Sequence, residues 1–297
     1  MRKIVRIASL LPILLLSGHV SAEGWQKAVG VESFNWYEYA PDGSELVHES
    51  GPRLFVEFSS SSEYTKQINA SYSGRIYGAS VIYDGETQSG TPITTNSLYL
   101  GFVLEAMFDY RLSIDGDSLS NSGDWFLSYG LGYEGWLRGI RDTSTASGYN
   151  EFYRVPYTKL GLSFDANNQT RIQFGAKFPM LVREYVAYSR FVTDDTGEKF
   201  ADLELSPIAN ATLYIAIDYR MKENWDFRFY YDRYLFDASP EKSLLTASGN
   251  PVYCLDSNSD GVCDALNAIN SGSDSEARAY QPRSDQQTIG VRLTLSY

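Results

Sequence analysis

Asp256, Asn258 and Asp260 stand at every second position of a short polar run, and Gly261 follows the last of them. Oxygen-bearing side chains spaced this way converge on one point when the chain curls, and a glycine permits the sharp turn. This is the D-x-[DN]-x-[DN]-G arrangement of a calcium loop, in which Val262 would add a backbone carbonyl and Asp264 a further oxygen. The same residues also favour turns that hold no metal, so a plain Asp/Asn/Gly turn is the competing reading. Cys254 and Cys263, the two cysteines of the chain, are separated by eight residues that include most of this run. In an oxidising compartment that spacing points to a Cys254–Cys263 disulfide closing a small loop, with two free thiols as the alternative.

Position 12 of the loop is Asn267, where an EF-hand carries a bidentate glutamate. The run is therefore more similar to the Asp/Asn-rich loops of extracellular modules, which bind calcium weakly, with Kd on the order of 10⁻⁴ to 10⁻³ M. Calcium is the only cofactor the residues suggest.

Catalytic chemistry is harder to assemble. Apart from His19 near the N-terminus, the one histidine is His48, so an imidazole base would have to be His48. Asp194 and Asp195 could supply acids opposite it, but no flanking motif supports either, and both read equally as solvated loop residues. Phosphate-binding loops, zinc-ligand spacings and a Gly-x-Ser-x-Gly elbow do not occur.

These residues need a frame, and the start of the chain indicates where that frame is built. Arg2, Lys3 and Arg6 precede the apolar run 10–16, and Val20, Ser21 and Ala22 supply small residues for cleavage. Residues 1–22 are expected to be a secretory signal peptide, leaving a single domain over 23–297. No cysteine marks the cleavage point, so a lipid-anchored N-terminus is not expected. Removal of 1–22 takes away three basic and no acidic residues, moving the formal charge from -12 to -15. Such acidity argues against nucleic acid as a partner, because phosphate backbones are held by Lys and Arg. No apolar run approaches the ~20 residues of a spanning helix. A membrane crossing would have to use strands.

Period-two alternation supports strands that cross. Leu98, Leu100, Phe102, Leu104, Ala106 and Phe108 share one face, while Tyr99, Val103, Glu105, Met107 and Asp109 share the other. The same alternation recurs through ten segments, at about 27–39, 51–62, 67–83, 96–114, 123–138, 151–165, 169–187, 206–220, 225–237 and 286–297. The connections between them are expected to alternate, long at 40–50, 84–95, 139–150, 188–205 and 238–285 and short in between. The fold class is thus all-β: a closed antiparallel transmembrane barrel of ten strands, with short inner turns and long outer loops. Aromatics near strand ends, namely Trp36, Tyr37, Tyr83, Trp125, Trp136, Tyr153, Trp225 and Tyr297, are expected at the water–bilayer interface.

The polar face of each segment carries charge. Glu57, Glu105, Asp109, Glu134, Asp218 and Asp232 are expected in the lumen together with Arg75, Arg111, Arg138, Lys159, Arg171, Lys177, Arg220, Arg228 and Arg292. Ten strands lie close to the eight whose interior side chains can fill, so these charges read mainly as a paired, rigid lumen. A narrow anion-preferring path is the alternative.

The final segment, Thr288-Ile289-Gly290-Val291-Arg292-Leu293-Thr294-Leu295-Ser296-Tyr297, alternates apolar residues and closes on an aromatic. In this it resembles the outer-membrane barrels of Gram-negative bacteria, in which such an ending is read by the barrel-assembly machinery. The strand number is similar to the omptin-like ten-stranded fold. The resemblance implies an outer-membrane location, membrane lipid as surroundings and the assembly machinery as a partner in biogenesis. The expected role is non-catalytic, a surface-interaction scaffold or narrow solute pore. Alternatives are a rim-located enzyme of protease or lipid-modifying type and a soluble periplasmic binding protein.

Overall fold

A computed structural model describes residues 23–86, 91–112, 123–144, 146–191, 197–222, 224–255, 265–267 and 275–296. The expected signal peptide, Asp194 and Asp195, Cys263, the run 256–264 and Tyr297 lie outside the described residues.

Ten strands form the wall: β1 (Glu23–Tyr39), β2 (Glu45–Thr65), β3 (Ile68–Glu86), β4 (Pro92–Leu112), β5 (Trp125–Ile140), β6 (Asn150–Asp165), β7 (Thr170–Pro179), β8 (Thr212–Lys222), β9 (Trp225–Asp237) and β10 (Arg283–Ser296). Each pairs antiparallel with its neighbours in sequence. The barrel closes where β1 runs against β10, Val31 opposite Val291 and Tyr39 opposite Arg283. Closure gives every strand a paired neighbour on both sides, which hydrocarbon demands because it offers no partner to a backbone N–H or C=O.

Alternation along β2 illustrates how the sequence sorts itself. Leu54, Val56 and Phe58 face outward with 66%, 45% and 49% of their surface exposed, whereas Arg53, Phe55 and Glu57 face inward with 3 to 4% exposed. Only a lipid environment removes such a face from water, since a soluble protein would have to bury it. The start of β1, the end of β10 and the short connections β2–β3, β6–β7 and β8–β9 share one end, which in outer-membrane barrels is periplasmic.

Loop lengths depart from the expected alternation. β2 begins at Glu45 and β3 runs to Glu86, so the first two outer connections shrink to 40–44 and 87–91, shorter than the inner connection 113–124. Residues expected in loops continue the hairpins above the bilayer, and the outer bulk comes from 180–211 and 238–282.

Four of the expected interface aromatics are instead lumen residues. Trp36, Trp136 and Tyr153 are at most 1% exposed and Tyr83 is 8% exposed. They belong to the inward phase of their strands, where their rings fill the space that ten strands enclose. Trp36 packs against Trp136, Tyr153 and Phe236, and Trp136 stacks flat on Tyr153 with ring centroids 4.7 Å apart. Tyr37 is on the outer face, stacked between Tyr39 and His48. Trp125 packs on Phe164 near the inner edge, and Trp225 is also partly exposed there. Inward glycines make the ring packing possible: a Cβ at Gly101 would enter the Tyr77 ring, and one at Gly132 the Tyr157 ring.

One defect interrupts the wall. Between the pairs Tyr157–Pro179 and Arg154–Arg183, β6 contributes two residues and the other strand three. The extra residue makes a β-bulge. Leu181 sits in it with φ of 41°, the one non-glycine positive φ among the described residues. Beyond it the chain continues as a short strand, Arg183–Val186, with the facing phase reversed.

Candidate functional site: the charged lumen and outer rim

From the periplasmic mouth upward, the first charges are rim pairs. Arg111 lies 3.2 Å from Asp124 and Arg220 3.4 Å from Asp226, and both arginines are about half or more exposed. They keep the inward phase but sit where β4 and β8 have already run to the barrel's inner edge, so they border the lumen rather than fill it. Above them Arg171 reaches Asp109 at 2.8 Å and Asp165 at 3.5 Å.

The mid-lumen is a continuous ionic lattice. Glu57 is held by Arg75 at 2.8 Å and by Arg292, and Arg292 also lies 3.7 Å from Asp218, which Arg228 approaches at 3.3 Å. Glu32 receives Arg53, Arg75 and the Tyr230 hydroxyl. On the opposite wall Lys159 meets Glu105 at 2.6 Å, and Lys177 meets Asp232 at 2.9 Å. Glu134 accepts the hydroxyls of Tyr77 at 2.7 Å and Tyr234 at 2.8 Å. Removing such groups from water is tolerable only because each charge has a close partner of opposite sign or a hydrogen-bond donor. A cavity of about 230 Å³ occupies this inner half, from Ser61 and Ser71 near the β2–β3 turn up to Tyr77 and Tyr234.

Above the lattice an aromatic layer of Trp36, Trp136, Tyr153, Tyr234 and Phe236 packs across the lumen. A second charge cluster lies on its outer side. Arg138, 1% exposed, donates to Glu38 at 2.7 Å, to Glu151 at 2.8 Å and through Nε to Glu49 at 3.1 Å. Its Nη2 is 3.0 Å from the same Glu49 oxygen but misaligned, so the Nε contact is the hydrogen bond. Ser97 at 2.6 Å and Tyr99 also donate to Glu49. Gln281, from the last outer loop, packs on this cluster between Glu38 and Glu184; with its amide turned so that the nitrogen faces Glu184, that nitrogen donates to both Glu184 oxygens at 3.0 Å.

Several of these residues escaped the sequence reading. Glu32, Glu38 and Arg53 share the inward phase of β1 and β2, and the rule that selects Glu57 would have found Arg53. Glu49 lies in a segment expected to be loop. Glu184 could not have been found by alternation: counting from Arg171 puts Arg183 inside and Glu184 outside, and the bulge at Leu181 reverses both.

His48 is on the outer face of β2, opposite Tyr37 and Asp84. Its ring stacks on Tyr37 at 4.5 Å, and Nε2 is 3.5 Å from Asn35 Oδ1. Cys254 lies in the short loop strand Tyr253–Leu255, which pairs with Ala265–Asn267 and Ser275–Glu276. The remainder of the expected calcium loop and the second cysteine lie outside the described residues.

No family model matches the chain, and no curated protein matches its sequence. Among solved structures, the outer membrane protease OmpT from Escherichia coli is similar over 95% of this chain and 99% of its own, at 8% identity and a TM-score of 0.49. The translocator domain of the autotransporter NalP from Neisseria meningitidis is similar over 92% of this chain and 88% of its own, at 8% identity and a TM-score of 0.43. The beta domain of the Bordetella autotransporter BrkA shows 8% identity over 92% of this chain and 100% of its own, with a TM-score of 0.42. At TM-scores below 0.5 these similarities carry no argument; what decides the class is the closed ten-stranded wall with its lipid-facing apolar belt, which makes the protein a transmembrane β-barrel.

Proposed function

We propose that the protein is a non-conducting outer-membrane scaffold that holds its last two outer loops rigidly at the cell surface for contact with ligands or partners. The observation that carries this reading is the aromatic layer across the bore, in which Trp36, Trp136, Tyr153, Tyr234 and Phe236 are each at most 1% exposed. Ion-pair lattices on both sides brace that layer, and Gln281 ties the last loop to the outer one. The disulfide between Cys254 and Cys263 and a weak calcium site over Asp256, Asn258, Asp260, Val262 and Asp264 belong to the same reading, as devices that stiffen the loop.

The outward position of His48, stacked on Tyr37, supports a non-catalytic role over a histidine-dependent rim enzyme. The test is single-channel recording of the refolded barrel in a planar bilayer. A demonstrably folded barrel is expected to show no discrete steps. Reproducible steps would reject the sealed lumen and favour a narrow pore.

A further inference from the structure

The break in the wall between β7 and β8 has a chemistry of its own. Hydrogen-bonded pairing between these strands stops at Lys177–Thr212, and beyond it the two sides of the seam pair again only through two short strands, Arg183–Val186 and Leu203–Leu205, at Glu184–Leu205. Pro179 and Pro207 lie within the interval, and neither has an N–H to offer a ladder. Leu181 and Leu213 border it with 78% and 72% of their surface exposed, the highest values among the large apolar side chains of the described residues.

The bulge that opens this seam also turns Arg183 outward, directly opposite Arg154 on β6. Two like charges facing each other across a pair of strands repel. They share one carboxylate: Glu204 lies 3.3 Å from Arg154 and 3.6 Å from Arg183. Lys242 donates to the backbone carbonyl of the same Glu204. Two cations thus share one carboxylate and a third stands beside it on the backbone, while Arg183 also donates to the Ser206 hydroxyl. The Nε of Arg154 is sealed from solvent and donates no hydrogen bond among the described residues.

Height along the barrel identifies what meets this cluster. The aromatic pair Trp125–Phe164 marks the inner edge of the apolar belt. A belt of about 25 Å is crossed by roughly ten residues of a tilted strand. Counting that far outward from Phe164 reaches Arg154, and from Ile172, its cross-strand partner, reaches the bulge and Arg183. The cations therefore stand at the outer headgroup level, directly above the exposed leucines.

We propose that this seam is a docking site for one outer-leaflet lipid, its acyl chains on Leu181 and Leu213 and its anionic phosphate headgroup held by Arg154, Arg183 and Lys242. The occupant is a phosphorylated lipid rather than a free anion, because the apolar and cationic halves of the site adjoin. Arginine suits the task, since its planar fork meets phosphate oxygens two at a time.

The test uses the refolded full barrel in phosphatidylcholine nanodiscs, titrated with diphosphorylated lipid A and with the same glycolipid after enzymatic removal of its phosphates. Binding is read by native mass spectrometry. The phosphorylated probe is expected to bind about 30-fold more tightly, in line with the attraction of two basic residues near a membrane surface. The R154Q/R183Q variant should lose that preference, and Glu204→Gln, which removes the shared carboxylate, should strengthen it. R220Q at the periplasmic rim should change nothing. Equal binding of the two probes, or an unchanged preference in both the double variant and E204Q, would overturn the proposal. So would displacement of the lipid by millimolar inorganic phosphate, which would make the ligand a free anion.

Discussion

Arg138 donates to Glu151 at 2.8 Å in a part of the lumen where the two side chains are only 1% and 3% exposed. The same guanidinium serves Glu38 and Glu49, so one cation is the shared partner of three carboxylates from three strands. Removing it leaves uncompensated buried charge, which is far more damaging than the pair is stabilising. Arg138→Met is expected to lower stability by about 3–5 kcal/mol, read as a shift in the urea midpoint of the barrel in lipid vesicles. An unchanged midpoint would mean that the cluster is hydrated.

Glu134 depends on two hydroxyls rather than on a cation within hydrogen-bonding distance. Tyr77→Phe or Tyr234→Phe removes one donor from a buried carboxylate and should cost about 1–3 kcal/mol each. Because both tyrosines serve the same acceptor, the double variant is expected to depart from the sum of the singles. A double-mutant cycle by urea unfolding measures that coupling directly.

Leu181 holds a left-handed backbone that disfavours any side chain, by roughly 1–2 kcal/mol. Leu181→Gly should therefore be neutral to stabilising in detergent, where no particular lipid needs the leucine. In nanodiscs carrying phosphorylated lipid A, the same variant should lose affinity for the lipid. Thermal unfolding in the two media separates the effects.

Asp202, in the outer region 197–202, supplies a pH dependence. Partial burial disfavours its charge, but the hydroxyl of Tyr185 and the amide of Ser189 outweigh this and hold its pKa below the ordinary 3.8. A depressed carboxyl stabilises the folded loop above its unfolded pKa and loses that contribution as the pH falls through the folded value. Protection of the 188–203 backbone against hydrogen exchange should thus be flat from neutral pH to about 4 and fall only below it. Asp202→Asn should remove the dependence.

The loop around Cys254 offers a ligand-removal experiment. If calcium binds in the range typical of extracellular loops, a concentration ten times Kd adds about 1.4 kcal/mol to loop stability. Limited proteolysis of the 238–285 loop should slow on adding millimolar calcium and speed up with chelator. D256A/D260A should erase both responses. Reduction with a phosphine should accelerate cleavage independently of calcium.

The alternation in Leu98 to Phe108 and in Ile289 to Leu295 was enough to specify a lipid-facing barrel, because period two is a local property of extended backbone and a bilayer admits no other use of it. Strand number and closing partner followed from counting such segments. The inward phase also made Glu57, Glu134 and Arg138 legible as lumen residues, but not their partners. Which carboxylate meets which arginine depends on the register between strands far apart in sequence, as with Arg292 and Glu57. Sequence spacing carries no information about that stagger. Nor could alternation foresee the single extra residue at Leu181, which exchanges inside and outside for the short strand Arg183–Val186 beyond it. Trp36 and Trp136 look like interface residues in a one-dimensional reading and pack together inside the lumen in three dimensions, because only the packed interior decides whether a ring near a strand end meets lipid or its neighbours across the barrel.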